Sequence, residues 1–104
     1  GEIDPVARLL TDTGNKLYRN KEYKEALKLL IKSNKFFGRW GETRMILSKT
    51  YYELGLYNKS FTELTRAIFF GSKPDIHLEN NLKKKFIDLQ KIDPTIKNPF
   101  NLDN

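Results

Sequence analysis

The side chains able to do chemistry are few and scattered. The 104 residues include one histidine and no cysteine, so disulfides, thiolate metal sites and cysteine nucleophiles are ruled out. The histidine, His77, falls on the first turn of a predicted helix. A lone histidine there is far more often a surface side chain than a base or ligand, because a triad or a zinc site needs partners that converge on it. Gly14, Gly38, Gly41, Gly55 and Gly71 are spread along the chain and never gathered into a phosphate-cradling loop, which leaves nucleotide binding without support. Carboxylates are plentiful, but Glu22 and Glu25 sit beside Lys21, Lys24 and Lys28 at i to i+3 and i+4 spacing, the pattern of a solvated, ion-paired helical face. Catalysis needs perturbed titratable groups that meet in a cavity. The sequence predicts no such meeting, and hence a non-enzymatic protein with no cofactor and no metal.

Composition narrows the class further. Lys and Arg number 19 against 13 Asp and Glu, a formal charge of +6, and only 38% of residues are hydrophobic beside 31% charged. That balance predicts a thin core with much surface. Seven Phe, five Tyr and Trp40 argue against disorder and for an aromatic-rich core. The longest apolar runs, such as Ala67 to Phe70, fall far short of a bilayer span, so a soluble protein without membrane association is expected, cytoplasmic by default and nuclear as the alternative.

The elements that must carry these residues are helices. Asp4-Pro5 is a helix start, since a short carboxylate can accept from exposed amides and proline at the first helical position loses no needed donor. Val6, Leu9, Leu10 and Leu17 then recur at helical spacing to about Asn20. Tyr23, Ala26, Leu27, Leu30 and Ile31 mark a second helix, with Gly38 as its expected left-handed stop. The short connection predicts an antiparallel hairpin. Met45, Ile46, Leu47, Tyr51, Tyr52 and Leu54 form a third helix broken at Gly55. Tyr57, Phe61, Leu64 and Ile68 form a fourth ending at Gly71. Asp75 starts a fifth, whose apolar side holds Ile76, Leu78, Leu82, Phe86, Ile87 and Leu89 and which ends near Ile92. Residues 93–104, with Pro94 and Pro99, are predicted extended or disordered, although Phe100 and Leu102 offer anchors for a tail that folds back.

A shift of 34 residues brings Tyr18 onto Tyr52, Tyr23 onto Tyr57, Leu30 onto Leu64 and Phe36 onto Phe70. Small residues coincide too: Gly14 with Ser48, Ala26 with Ser60, Ser33 with Ala67. A helix pair repeating large and small side chains at fixed period is the mark of a stacked solenoid. A generic bundle of similar hairpins is the competing explanation.

On these residues the chain resembles the tetratricopeptide repeat family, whose period is 34. In residues 7–40 the pattern falls on Leu10, Gly14, Leu17, Tyr23, Ala26, Leu30 and Ser33. In 41–74 it falls on Leu47, Ser48, Tyr51, Tyr57, Ser60, Leu64 and Ala67. Thr13, Gly38 and Arg44 depart from it, and proline comes late, at Pro74. The resemblance implies an all-α domain over residues 1–92, a short solenoid of about five helices: repeats 7–40 and 41–74 and a capping helix 75–92. Two and a half repeats are near the minimum for stability, so the chain is expected either to be an excised domain or to dock on further helices. The stretch Arg66 to Pro74 and the following Lys83-Lys84-Lys85 also look like the repeat region of SET and MYND domain lysine methyltransferases, without any catalytic SET segment.

In the tetratricopeptide repeat family, the first helices of successive hairpins line a concave groove that holds a segment of a partner protein. The resemblance carries that role to Arg8, Thr11, Asn15, Tyr18 and Arg19 in the first repeat, and to Met45, Lys49, Tyr52 and Glu53 in the second. Spacing puts Thr11, Asn15 and Tyr18 on one face, and Met45, Lys49 and Tyr52 on another. The expected partner is a protein or peptide, possibly acidic, gripped by Asn15, the two tyrosines, Lys49 and Arg19. The alternative for Tyr18 and Tyr52 is plain packing between hairpins. Some family members clamp the terminal carboxylate of heat-shock chaperones. Here Asn15 and Lys83 match that clamp, but Thr11, Ile46 and Glu79 replace three of its donors, so chaperone-tail capture is disfavoured.

Two rival functions follow from charge and aromatics. Residues 1–74 carry 14 basic and 8 acidic side chains, while 75–104 carry five of each. Lys16, Lys24, Lys28, Lys32 and Lys35 are expected along the outer surface of the first hairpin, where lysines usually serve solubility, so nucleic-acid binding is the weaker alternative. Self-association is the other, through Phe36, Phe37, Trp40, Phe69 and Phe70 at the hairpin ends.

Overall fold

Five helices account for most of the chain in a computed structural model that describes residues 2–101. They are α1 (Pro5–Arg19), α2 (Tyr23–Phe36), α3 (Gly41–Glu53), α4 (Tyr57–Phe69) and α5 (Ile76–Ile92), followed by a 3₁₀ turn, Pro99–Asn101. The described residues contain no strand. The molecule is all-α, with adjacent helices packed on one another in a repeat-like array 44 × 28 × 21 Å in extent.

Each helix boundary has a local cause. The Asp4 carboxylate accepts from the amides of Val6 and Ala7 at 2.8 and 3.3 Å, and Pro5 takes the first helical position. Asp75 caps α5 in the same manner through the Leu78 amide at 2.9 Å. The two hairpin turns are copies. After α1 the amides of Lys21 and Glu22 donate to the carbonyls of Tyr18 and Leu17; after α3 those of Gly55 and Leu56 donate to Tyr52 and Tyr51. Each of these partners lies 34 residues from its counterpart. Lys21 and Gly55 also share left-handed backbone, φ 63° and 77°. Gly38, the expected left-handed stop of α2, does not adopt it. Its carbonyl instead accepts two bonds from Arg44, at 3.1 and 2.9 Å.

A lysine in that conformation carries a steric penalty that glycine escapes. Part of the gain is lost because glycine has more freedom in the unfolded chain. Lys21→Gly is therefore expected to raise the unfolding free energy by about 0.5–1 kcal/mol, and Gly55→Lys to lower it by a similar amount. Urea denaturation measures both.

Two apolar clusters hold the helices together. Ala26, Leu30, Ile46 and Leu47 join α2 to α3, flanked by Leu17, Tyr18, Leu27 and Tyr51. Met45, Leu64, Ala67, Leu78, Leu82 and Phe86 join α3, α4 and α5, flanked by Tyr52, Tyr57, Phe61, Leu89 and Phe100. Small residues set the closeness within each hairpin. A β-carbon on Gly14 would stand 2.9 Å from the buried Leu30 side chain. In the second hairpin Ser48 and Ser60 approach closely enough for each hydroxyl to donate to the other's carbonyl, at 2.6 and 2.7 Å. Apolar spacing assigns Val6, Leu9, Ile31, Ile68, Ile76 and Ile87 inward, but all six are exposed. In a short open array each helix has free flanks, so its apolar stripe is wider than the surface that neighbours cover.

The tail departs from expectation over residues 93–101. In place of an extended or disordered segment, it folds back on α5 and α4. Gln90 donates to the Ile96 carbonyl at 3.0 Å, and the buried Asn98 side chain accepts from the Phe100 amide at 3.0 Å. The Phe100 ring packs edge-on against Phe61 and Phe86, with centroids 4.9 and 6.2 Å apart. Leu102, the other expected anchor, lies outside the described residues.

Asp93 starts this return by accepting from both the amide and the hydroxyl of Thr95, at 3.0 and 2.7 Å. The Thr95 hydroxyl and then its amide hold the Asp93 carboxyl below the usual carboxylate range. A depressed pKa contributes stability that is present above the unfolded-state value and lost as pH falls through the folded one. The expected result is an Asp93 carboxyl whose NMR titration midpoint lies below that of an unstructured aspartate and rises when Thr95 is replaced by Val.

Candidate partner-binding groove

A hollow of about 520 Å³ lies between α1, α3 and the turn that leads from α4 to α5. Asn15, Tyr18 and Arg19 form one wall, Met45, Ile46 and Lys49 the floor, and Trp40, Glu42 and the Phe70–Ser72 turn close one end. A second hollow of about 260 Å³ adjoins it, sharing Tyr18 and Lys49 and adding Tyr52, Glu53, Asp75, His77, Leu78 and Asn81. Because Tyr18 and Lys49 line both, the two hollows adjoin and together mark a channel along α1, α3 and α5.

Local structure explains how these side chains meet. Gly41, at the start of α3, has no side chain because the α4 end occupies that space: a β-carbon there would lie 2.7 Å from the Ala67 carbonyl and 2.9 Å from the Ser72 nitrogen. This approach brings the Phe70–Ser72 turn to the groove's end. At the other end Lys49 reaches Asp75 at 3.5 Å, so the carboxylate that caps α5 also ties that helix to α3.

Tyr18 and Tyr52 play parallel parts. Tyr18 rests tilted against Tyr23 with centroids 5.6 Å apart and planes at 59°; Tyr52 meets Tyr57 edge-on at 5.5 Å and 61°. Both are half-buried, both pack on a core cluster, and both line the second hollow. Packing and groove lining are thus carried by the same rings. The Tyr18 phenol is held above its ordinary pKa by burial first, and then by the nearby Glu53 carboxylate, Tyr23 phenol and Asp75 carboxylate. It stays a neutral donor at physiological pH.

Of the expected groove residues, Asn15, Tyr18, Arg19, Met45, Lys49, Tyr52 and Glu53 line the channel. Met45 is buried and serves as floor. Arg8 lines neither hollow; its guanidinium stands over the Trp40 ring, 5.4 Å from the centroid, at the channel's margin. Two expectations require correction. Thr11 is only 1% exposed, with its hydroxyl 2.7 Å from those of both Ser33 and Thr43, so it locks α1 to α2 and α3 and cannot touch a partner. Lys83 lies away from the channel, paired with Glu79 at 3.5 Å and poised over the Phe100 ring.

Sequence reasoning missed the groove's end wall, Trp40, Glu42 and the 70–72 turn, although the glycine at position 41 signals a close approach. It also missed the clamp behind the groove. Arg44 donates to both carboxylate oxygens of Glu63 at 3.1 and 3.0 Å, and Arg66 adds a bond at 3.0 Å. Among the described residues, no group of three acidic, histidine or cysteine side chains is arranged to hold a metal ion. None of their helices is long and apolar enough to cross a membrane. The chain matches no protein-family model, no curated protein and no solved structure.

Proposed function

We propose that this chain is a non-enzymatic, tetratricopeptide-like interaction module that grips a segment of a partner polypeptide along the α1–α3–α5 channel. One observation carries the reading: the equivalent tyrosines of the two hairpins, Tyr18 and Tyr52, hold matching poses and line, with Asn15 and Lys49, two adjoining hollows. A flat aromatic, an amide with both donor and acceptor, and a flexible cation suit a peptide backbone and its side chains. Arg19, exposed and in no ion pair among the described residues, supplies attraction for an acidic side chain. A chaperone's terminal carboxylate suits the channel poorly, because Thr11 is sealed inside and Lys83 is turned to Glu79. A cytosolic or nuclear setting belongs to the same proposal.

Selection of displayed random peptides against the folded domain tests it. Winning peptides are expected to shift the backbone amides of Asn15, Tyr18, Lys49 and Tyr52, and to lose about tenfold in affinity against the Asn15→Ala, Arg19→Glu double variant. Peptides that bind with unchanged affinity to that variant would overturn the reading.

A further inference from the structure

The outward face of α2 carries a second feature that the channel does not use. Lys24, Lys28, Ile31, Lys32, Lys35 and Phe36 fall within one arc of the helix, opposite the buried Ala26, Leu30 and Ser33. Ile31 and Phe36 are 36% and 51% exposed. Together with Lys28, Lys32 and Lys35 they line a hollow of about 460 Å³. The one ion pair on this arc is Lys28 with Glu25, at 3.3 Å. Lys32 and Lys35 thus border an apolar hollow with no acidic partner among the described residues.

We infer that this face is a docking surface for an acidic polypeptide segment bearing a bulky apolar side chain, separate from the α1–α3–α5 channel. Charge complementarity selects the carboxylates: lysines on flexible stems can reach the carboxylates of an acidic chain laid along the hollow. The apolar floor selects the rest of the occupant. Phosphates of a nucleic acid would pair with the lysines and leave Ile31 and Phe36 against water, and the arc holds no arginine for bidentate phosphate contact. A bilayer would favour apolar side chains raised on a ridge, whereas these two line a recess. A helical or extended segment with one or two large apolar residues flanked by Asp or Glu satisfies both features.

The test uses a labelled synthetic peptide with Leu and Phe at helical spacing among glutamates, and a control in which those apolar residues are Ser. The first is expected to bind, to shift amides across residues 28–36, and to weaken as salt rises. Lys28→Glu with Lys32→Glu should reduce affinity about tenfold or more, and Phe36→Ser about fivefold at an unchanged salt slope. The Asn15→Ala, Arg19→Glu channel variant should leave it unaltered, which separates this proposal from the preceding one. If a charge-reversal variant loses its helical circular dichroism, Lys32→Gln with Lys35→Gln replaces it, with a smaller loss in the same direction. Equal binding of the serine control, no binding of the amphipathic peptide, shifts confined to the channel, or tighter binding of phosphatidylserine vesicles or duplex DNA at these lysines would each overturn the inference.

Discussion

Glu63→Ala is expected to lower the unfolding free energy by about 3 kcal/mol, a large part of the ~5–15 kcal/mol that a domain of this size commands. The Glu63 side chain is 8% exposed and receives both Arg44 and Arg66. Removing it strands the Arg44 guanidinium, 13% exposed, between the Gly38 carbonyl and the Phe70 ring. The cost comes from the uncompensated buried cation more than from the lost attraction, because a desolvated pair gains little over apolar residues of like volume. The contrast is testable: Arg44→Met combined with Glu63→Leu should recover most of the loss in urea denaturation. A double variant as unstable as Glu63→Ala would show that the pair itself is the source of stability.

Gly41→Ala is the second large effect, about 2–3 kcal/mol destabilising. The added methyl meets backbone atoms, the Ala67 carbonyl at 2.7 Å, the Ser72 nitrogen at 2.9 Å and the Phe70 carbonyl at 3.1 Å, none of which can rotate aside as a side chain would. Relief requires α3 and the end of α4 to part, which opens the end wall of the channel. Lower stability should therefore come with weaker binding of any channel peptide, whereas Glu63→Ala, acting behind the groove, should leave the affinity of the folded fraction largely intact. Gly14→Ala crowds the Leu30 side chain at 2.9 Å and meets backbone, the Ala26 carbonyl, only at an ordinary contact distance of 3.5 Å, so a smaller loss is expected there.

The 34-residue period made the hairpins legible because it fixes both turns and the small residues between helices. α1 and α3 end at Arg19 and Glu53, and α2 and α4 start at Tyr23 and Tyr57, each pair one period apart. Periodicity states the direction in which a side chain points but not how near the next helix stands. Thr11 shares a face with Asn15 and Tyr18, yet Thr43 and Ser33 close over it. The Ser33 hydroxyl also donates to the Ala7 carbonyl at 2.8 Å. This chain of hydroxyls joins three helices through residues 22 and 32 positions apart, a spacing no local pattern contains.

Arg44 illustrates the same limit from the opposite side. It stands out as a departure from the repeat pattern, but its partners Gly38 and Glu63 belong to a loop and to another helix, and only folding brings them together. The tail was legible in part: α5 does end just before Asp93-Pro94, and Phe100 is an anchor, while the Asn98 side chain that turns the backbone towards Phe61 looks like an ordinary loop residue. The channel's lining came mostly from resemblance and helical spacing, its end wall from tertiary packing alone.

Photo-crosslinking addresses the central claim most directly. A selected channel peptide is bound to proteins carrying a benzophenone side chain in place of Arg19, of Glu53, or of Thr65 on the exposed side of α4. Crosslinks from Arg19 and Glu53 without any from Thr65 are the predicted result, since Arg19 lines the first hollow and Glu53 the second. Crosslinks from Thr65 alone would contradict the account.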